Sequence, residues 1–286
     1  MVTEVDVRAS DGRTLHAYDR GRGDRVVMWH HGTPNIGFPP VPLFAAADRL
    51  GLRLVSYDRP GYGGSPPVPG RDIASVAADA ATVADALGVA EFAVLGHSGG
   101  GPCALACAAL LPGRVTAAVA ISCLAPYESG GLDWYAGMGP SGEATLRAAA
   151  AGRAAKEAHE AAGASDVDFI PADWAALEGE WGWFGSVVEP AMACGPAPLI
   201  DDDLSYVNPW GFDPAAVAVP VLLVHGTGDR VVPSAHSTWL ADHISGSTLR
   251  LVEGEGHVSV LPPAAVPGPG VAAPSLNGTH VRIQRW

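Results

Sequence analysis

Short apolar runs alternate with helix-length segments through the first half of the chain, and that alternation restricts the fold more than any other feature. Val5-Asp6-Val7 and Leu15-His16-Ala17-Tyr18 read as an opening hairpin around Asp11-Gly12. Residues 25–29, 52–57, 92–95 and 115–121 read as strands, and several are apolar on both faces. Residues 39–50, 72–87 and 102–111 read as helices. Asp72 caps the second of these and Gly88 stops it, while Pro112-Gly113 stops the third. Strands that alternate with helices imply a mostly parallel sheet covered on both faces, an α/β fold.

The rhythm breaks after Cys123. Residues 124–206 contain no buried-strand pattern, but they hold an Ala-rich helix over 143–162 and a Trp-rich stretch with Trp174, Trp181 and Trp183. Strand and helix patterns resume at 219–224, 235–244 and 248–252. The reading is therefore a core in two parts, 1–123 and 207–261, with a helical insertion at 124–206. Residues 262–286 carry five Pro and no Asp or Glu, and no closing helix can be read there. Either this tail wraps irregularly or its end has been altered by a change of reading frame.

The composition excludes several classes. The chain has 286 residues, 48% hydrophobic and 16% charged, enough for one large domain with a buried core. Seventeen basic against thirty acidic residues give a net charge of −13. Nucleic-acid binding needs clustered Lys and Arg, which are missing. No apolar run approaches the roughly 18–20 residues that span a bilayer, and the acidic N-terminus is unlike a secretory signal. Cys103, Cys107, Cys123 and Cys194 are too few for a disulfide framework. The expectation is a cytoplasmic monomer or homodimer that acts on a small-molecule substrate, with no nucleic-acid or membrane partner.

Gly96-His97-Ser98-Gly99-Gly100 is G-x-S-x-G placed between a strand and a helix. A nucleophile on so sharp a turn needs small neighbours, and the helix N-terminus behind it favours developing negative charge. The bland reading is a glycine-rich turn with an incidental Ser. Gly99 to Ala104 also matches a loose dinucleotide fingerprint, but no carboxylate ends the next strand. A Ser nucleophile requires a base and an orienting acid, in the chain order Ser, acid, His for this topology. His257 follows the last strand and Asp229 follows the one before it. Parallel strands gather such groups at their carboxyl ends. His159 and His243 fall on helices, His236 at a helix start, His16 on an early strand and His280 in the tail, and none of them follows the last strand. Backbone N–H groups of Thr33 and Gly99 fit the oxyanion donors. His30-His31 invites a metal reading, but no H-E-x-x-H or further ligand cluster accompanies it, so no metal is expected.

Five segments then line up: His31-Gly32-Thr33-Pro34, Asp58-Arg59-Pro60-Gly61-Tyr62-Gly63-Gly64-Ser65, Gly96 to Gly100, Gly226-Thr227-Gly228-Asp229 and Gly256-His257. In that order they resemble the α/β-hydrolase superfamily, over residues 1 to about 261. The resemblance implies an eight-stranded, mostly parallel sheet flanked by helices. It also implies a helical cap inserted after strand six, no cofactor, and a structural role for Asp58. Haloalkane dehalogenases and epoxide hydrolases resemble this chain but carry Asp where Ser98 stands. Proline iminopeptidases share the H-G-x-P turn, but their nucleophile turn usually reads G-G-S-W-G.

The expected reaction is cleavage of a small, mostly apolar carboxylic ester through an acyl-enzyme on Ser98, His257 and Asp229. Trp134, Trp174, Trp181 and Trp183 are candidates for the substrate pocket, with packing of the cap as the plainer reading. An iminopeptidase-like aminopeptidase would need cap carboxylates, for which Glu178, Glu180 and Glu189 are candidates. An acyltransferase would use the same triad. A ligand-binding homologue that keeps only the hydrolase shell is the non-enzyme alternative, and a complete triad argues against it.

Overall fold

The structure is a computed structural model that describes residues 1–127, 129–163, 166–193 and 195–261. The expectations for the tail at 262–286 and for Cys194 fall outside the described residues.

Eight strands form one sheet in the order β1-β2-β4-β3-β5-β6-β7-β8. They are β1 (Thr3–Arg8), β2 (Thr14–Asp19), β3 (Arg25–His30), β4 (Leu52–Tyr57), β5 (Phe92–His97), β6 (Val115–Ile121), β7 (Val221–Gly226) and β8 (Thr248–Val252). The opening hairpin is antiparallel, β2 joins β4 antiparallel, and every later pairing is parallel. This is the mostly parallel α/β sheet that the sequence rhythm implied. The strand order reverses at β3, which lies between β4 and β5. Chain leaving β3 and β5 turns opposite ways there and opens a crevice at the carboxyl edge.

In the core, α1 (Phe44–Leu50), α2 (Ser75–Ala86), α3 (Gly100–Leu110) and α9 (Ala235–His243) flank the sheet. Asp72 Oδ1 accepts from the Ser75 amide at 2.9 Å, but the helix begins at Ser75 with Ala74 in the N-cap position, so Asp72 stands just outside the helix it was expected to cap. Helix α3 is buried nearly all round because Ala104, Ala106 and Ala108 let it approach the strands closely. It packs with Val83, Val94, Ala118 and Leu223 in the main hydrophobic core.

Between β6 and β7 lie α4 (Pro140–Ala150), α5 (Arg153–Ala161), α6 (Pro171–Glu178), α7 (Gly185–Met192) and α8 (Ala197–Val207). The Ala-rich stretch read as one helix over 143–162 is two. Gly152 at φ 104° breaks it, a conformation closed to Ala. Leu146 and Ala149 of α4 pack with Tyr206 and Val207 of α8, Leu124 and Trp134 in a second core. A third core joins Ile121, Trp181, Phe184 and Val187 to Val258, Val260 and Leu261. Among the described residues no helix is long and apolar enough to cross a membrane.

Candidate active site

Ser98 follows β5 directly and holds φ at 54°. Among the described residues only Ser122 shares a positive φ without being Gly. Left-handed backbone is strained for an L-residue and is held here by its surroundings. The Ser98 amide donates to Ile121 O at 2.9 Å, and the Gly101 amide returns to Ser98 O at 2.9 Å. The neighbouring glycines are needed for space. A Cβ on Gly96 would meet Gly100 O at 2.1 Å, and one on Gly100 would meet His30 O at 2.0 Å. The sharp turn therefore closes only with glycine on both sides.

His257 lies past β8 and Asp229 past β7, both at the carboxyl edge of the sheet. Asp229 Oδ2 sits 2.8 Å from His257 Nδ1. Its Oδ1 accepts the amides of Val231 and Val232, each at 2.9 Å. Burial alone would push the Asp229 carboxyl up. The facing His257 and His225 rings outweigh it and hold the group well below the usual carboxylate range. An ionised Asp229 can only accept, so His257 Nδ1 carries a proton and donates to it. His225 turns Nε2 toward Val232 O at 2.7 Å and Asp229 Oδ2 at 3.2 Å, while Ser237 Oγ meets its Nδ1 at 2.7 Å.

The structure brings Asp229 and His257 together, and among the described residues the Ser98 hydroxyl makes no hydrogen bond to the ring. What ties the two sides of the site is the preceding residue. His97 Nε2 donates to His257 O at 2.9 Å, and the two ring centroids are 5.0 Å apart. Loose nucleophile–base contacts are common in unliganded sites.

The loop that carries His257 has braces the sequence did not reveal. Asp173 of α6 is buried, and its Oδ1 accepts the amides of Val258 at 2.7 Å and Ser259 at 2.9 Å. Ser122 Oγ reaches His257 O at 3.3 Å, and Phe169 stacks on the ring at 6.4 Å. An acid followed by Trp174 in an apparent surface helix gives no sequence signal of this task.

Thr33 is fixed by a buried charge network. The Arg59 guanidinium donates to His31 O, to Gly32 O at 3.1 Å, to Thr33 Oγ1 at 3.1 Å and to Asp202 Oδ2 at 2.7 Å. Asp202 of α8 also accepts from Arg71 at 2.7 Å, from Tyr62 Oη at 2.9 Å and from Thr33 Oγ1. Burial opposes its charge, but Arg59 and Arg71 hold its carboxyl well below the ordinary range. Among the described residues the Thr33 and Gly99 amides have no hydrogen-bond partner. Asp58 instead accepts from the Gly37 amide at 2.6 Å, the Gly64 amide at 2.9 Å and Tyr18, a structural set of contacts.

A cavity of about 230 Å³ opens on Ser98, Gly99 and Thr33. Leu124, Val231 and Val232 line it, and so do Ser141, Thr145, Leu146, His159, Glu160, Asp203 and Tyr206 of the helices between β6 and β7. None of the four tryptophans expected at the pocket is on this wall. Trp134 is buried in the second core and donates to Ala125 O at 2.8 Å. Trp181 and Trp183 pack with Phe184 in and against the third core, and Trp174 is about half exposed beside Phe169. Trp181 and Trp183 pack with the 258–261 segment that follows His257. Glu178, Glu180 and Glu189 are exposed and also absent from the wall.

The family model described as the alpha/beta hydrolase family matches residues 26–267. A non-heme chloroperoxidase of Streptomyces lividans is 31% identical over 266 residues, 88% of this chain and 92% of that protein. A thermophilic esterase from Thermogutta terrifontis superposes with TM-score 0.64 at 20% identity, covering 90% of this chain and 92% of the other. The enol-lactonase from Burkholderia xenovorans gives TM-score 0.65 at 19% identity, covering 89% and 93%.

Proposed function

We propose that this chain, which belongs to the alpha/beta hydrolase family, is a serine hydrolase that cleaves a small carboxylic ester. The single observation that carries the reading is Ser98 at φ 54° on a strand-to-helix turn, at the same sheet edge as the Asp229–His257 pair. Ser98 Oγ attacks the ester carbonyl while His257 Nε2 takes its proton. The amides of Thr33 and Gly99 stabilise the oxyanion. His257 then returns the proton to the leaving alcohol, and water cleaves the acyl-enzyme with His257 again as base. Asp229 stays ionised and stabilises the imidazolium. No cofactor or metal takes part. The helices of 124–206 act as the lid that completes the cavity over Ser98.

Relatives named as an esterase and as an enol-lactonase support acyl chemistry on this fold. Leu and Val side chains, rather than the expected tryptophans, supply the apolar lining of the cavity over Ser98, which suits a mostly apolar acyl group. The test is a screen of p-nitrophenyl esters, lactones and aminoacyl-anilides on wild type and Ser98→Ala. Ester turnover that falls at least about 10³-fold in Ser98→Ala supports the reading, and unchanged turnover rejects it. The relative named as a chloroperoxidase favours a second reading, peroxide-dependent halogenation. Adding hydrogen peroxide and chloride to the same pair of proteins reads it directly.

A further inference from the structure

The cavity that holds Ser98 is also lined by charge that the proposed chemistry does not use. Lys156 of α5 is fully buried, and its ammonium donates to Glu160 Oε1 at 2.6 Å, to Asp203 Oδ2 at 2.7 Å and to Thr145 Oγ1. An ammonium has three N–H bonds, so all are consumed within the protein. Glu160, Asp203 and Thr145 line the cavity, whereas Lys156 lies behind them. Two carboxylates against one ammonium leave a net negative charge on the wall. Among the described residues no donor reaches the second oxygen of either carboxylate.

Tyr206 adds an acceptor by a separate argument. Asp202 is ionised between Arg59 and Arg71, so it only accepts. Thr33 Oγ1, in contact with it, must give Asp202 its single proton. The two lone pairs of Thr33 Oγ1 then receive Arg59 Nη2 at 3.1 Å and Tyr206 Oη at 2.6 Å. The Tyr206 proton is thereby committed to Thr33, and its oxygen offers the cavity a lone pair. Tyr206 is 3% exposed, and its Oη lies 2.0 Å from where a Cβ on Gly99 would stand. The acceptor is beside the nucleophile turn, and its orientation owes nothing to the Lys156 cluster.

We propose that the cavity selects substrates that carry an ammonium group to Asp203 and Glu160, with Tyr206 accepting a second hydrogen bond, and that it rejects groups ending in a carboxylate. Leu124, Leu146, Leu199, Val231 and Val232 line the remaining wall and suit an aliphatic link between that ammonium and the ester. A cation also compensates the buried charge on Asp203, whose carboxyl burial raises to about 6 against the pull of Lys156. The substrate class rests on the hydrolase reading, but its recognition does not depend on turnover.

Binding is therefore measured at pH 8 by calorimetry on Ser98→Ala. The probes are the anilides of 6-aminohexanoic, hexanoic and adipic acid, and a second set of benzamides with the same three charges on the amine side. In one of the two sets the ammonium member should bind about tenfold or more tighter than the neutral one, the size of one charge-assisted hydrogen bond. The carboxylate member should bind more weakly than either. Asp203→Asn should reduce the preference to less than about threefold. Glu160→Gln, which keeps Asp203 on Lys156, supplies the same comparison if thermal melting shows Asp203→Asn to be unfolded. Equal binding of ammonium and neutral members in both sets, no binding of the ammonium members, tightest binding by a carboxylate, or a preference that survives the variants would each overturn the proposal. Loss of ester hydrolysis in wild type would reject the hydrolase reading alone.

Discussion

At the scale of single residues, the site depends on groups that touch no substrate. Asp173 accepts two amides of the loop that carries His257, so it fixes where the ring stands. Asp173→Ala leaves those buried amides unpaired, which costs about 1–3 kcal/mol. Displacement of the imidazole should lower kcat on an ester substrate by roughly 10–10²-fold, with KM nearly unchanged. Asp173→Asn keeps an oxygen acceptor and should recover part of the loss. Equal kcat in all three proteins would show that Asp173 only supports stability. Sequence reading singled out Ser98, Asp229 and His257 because each follows a strand at a fixed place in the topology. It could not find Asp173, whose partners are 85 and 86 residues away. The tryptophans misled for a related reason. A large aromatic in an insertion fits a pocket or a core equally well, and only the packing decides.

At the scale of elements, three consecutive aspartates tie α8 both to α5 within the insertion and, through Asp202, to the core. Asp201 pairs with Arg153, Asp202 with Arg59 and Arg71, and Asp203 with Lys156. A run of acids on a helix reads as a solvated face, since its basic partners come from distant segments. Asp202→Asn should leave two buried guanidinium groups short of a counter-charge, at a cost of about 3–5 kcal/mol measured by denaturant unfolding. Because Asp202 also receives the Thr33 hydroxyl, the same variant should reduce ester turnover in the fraction that folds. A change below about 1 kcal/mol would show that the network is dispensable. The regular elements were legible because their apolar periods match strands and helices buried by the sheet. Gly152 was the exception, since an isolated Gly among alanines marks a helix end only when the next segment turns away.

At the scale of the whole molecule, buried histidines set the acid limit. His30 and His97 are lowered to about 3 and His236 to about 4, chiefly by burial, and His31 is lowered well below its ordinary value by burial and by Arg59. The unfolded chain takes up these protons near pH 6.5, whereas the folded chain refuses them until far lower pH. Stability is thus fully present above about 6.5 and is lost as the pH falls toward 4. Each histidine contributes about 1.4 kcal/mol per pH unit in that window. Unfolding midpoints measured from pH 7 to pH 4 should fall steeply, and a flat profile would mean that these rings protonate in place. The central claim is that Ser98 is an activated nucleophile at the carboxyl edge of this sheet. Its most direct test is treatment of the intact protein with a fluorophosphonate, followed by mass analysis of the digest. The account predicts one adduct, on the peptide that carries Ser98, formed in step with loss of ester turnover and much slower in His257→Ala. Full turnover with Ser98 unmodified, or an adduct confined to another residue, would contradict it.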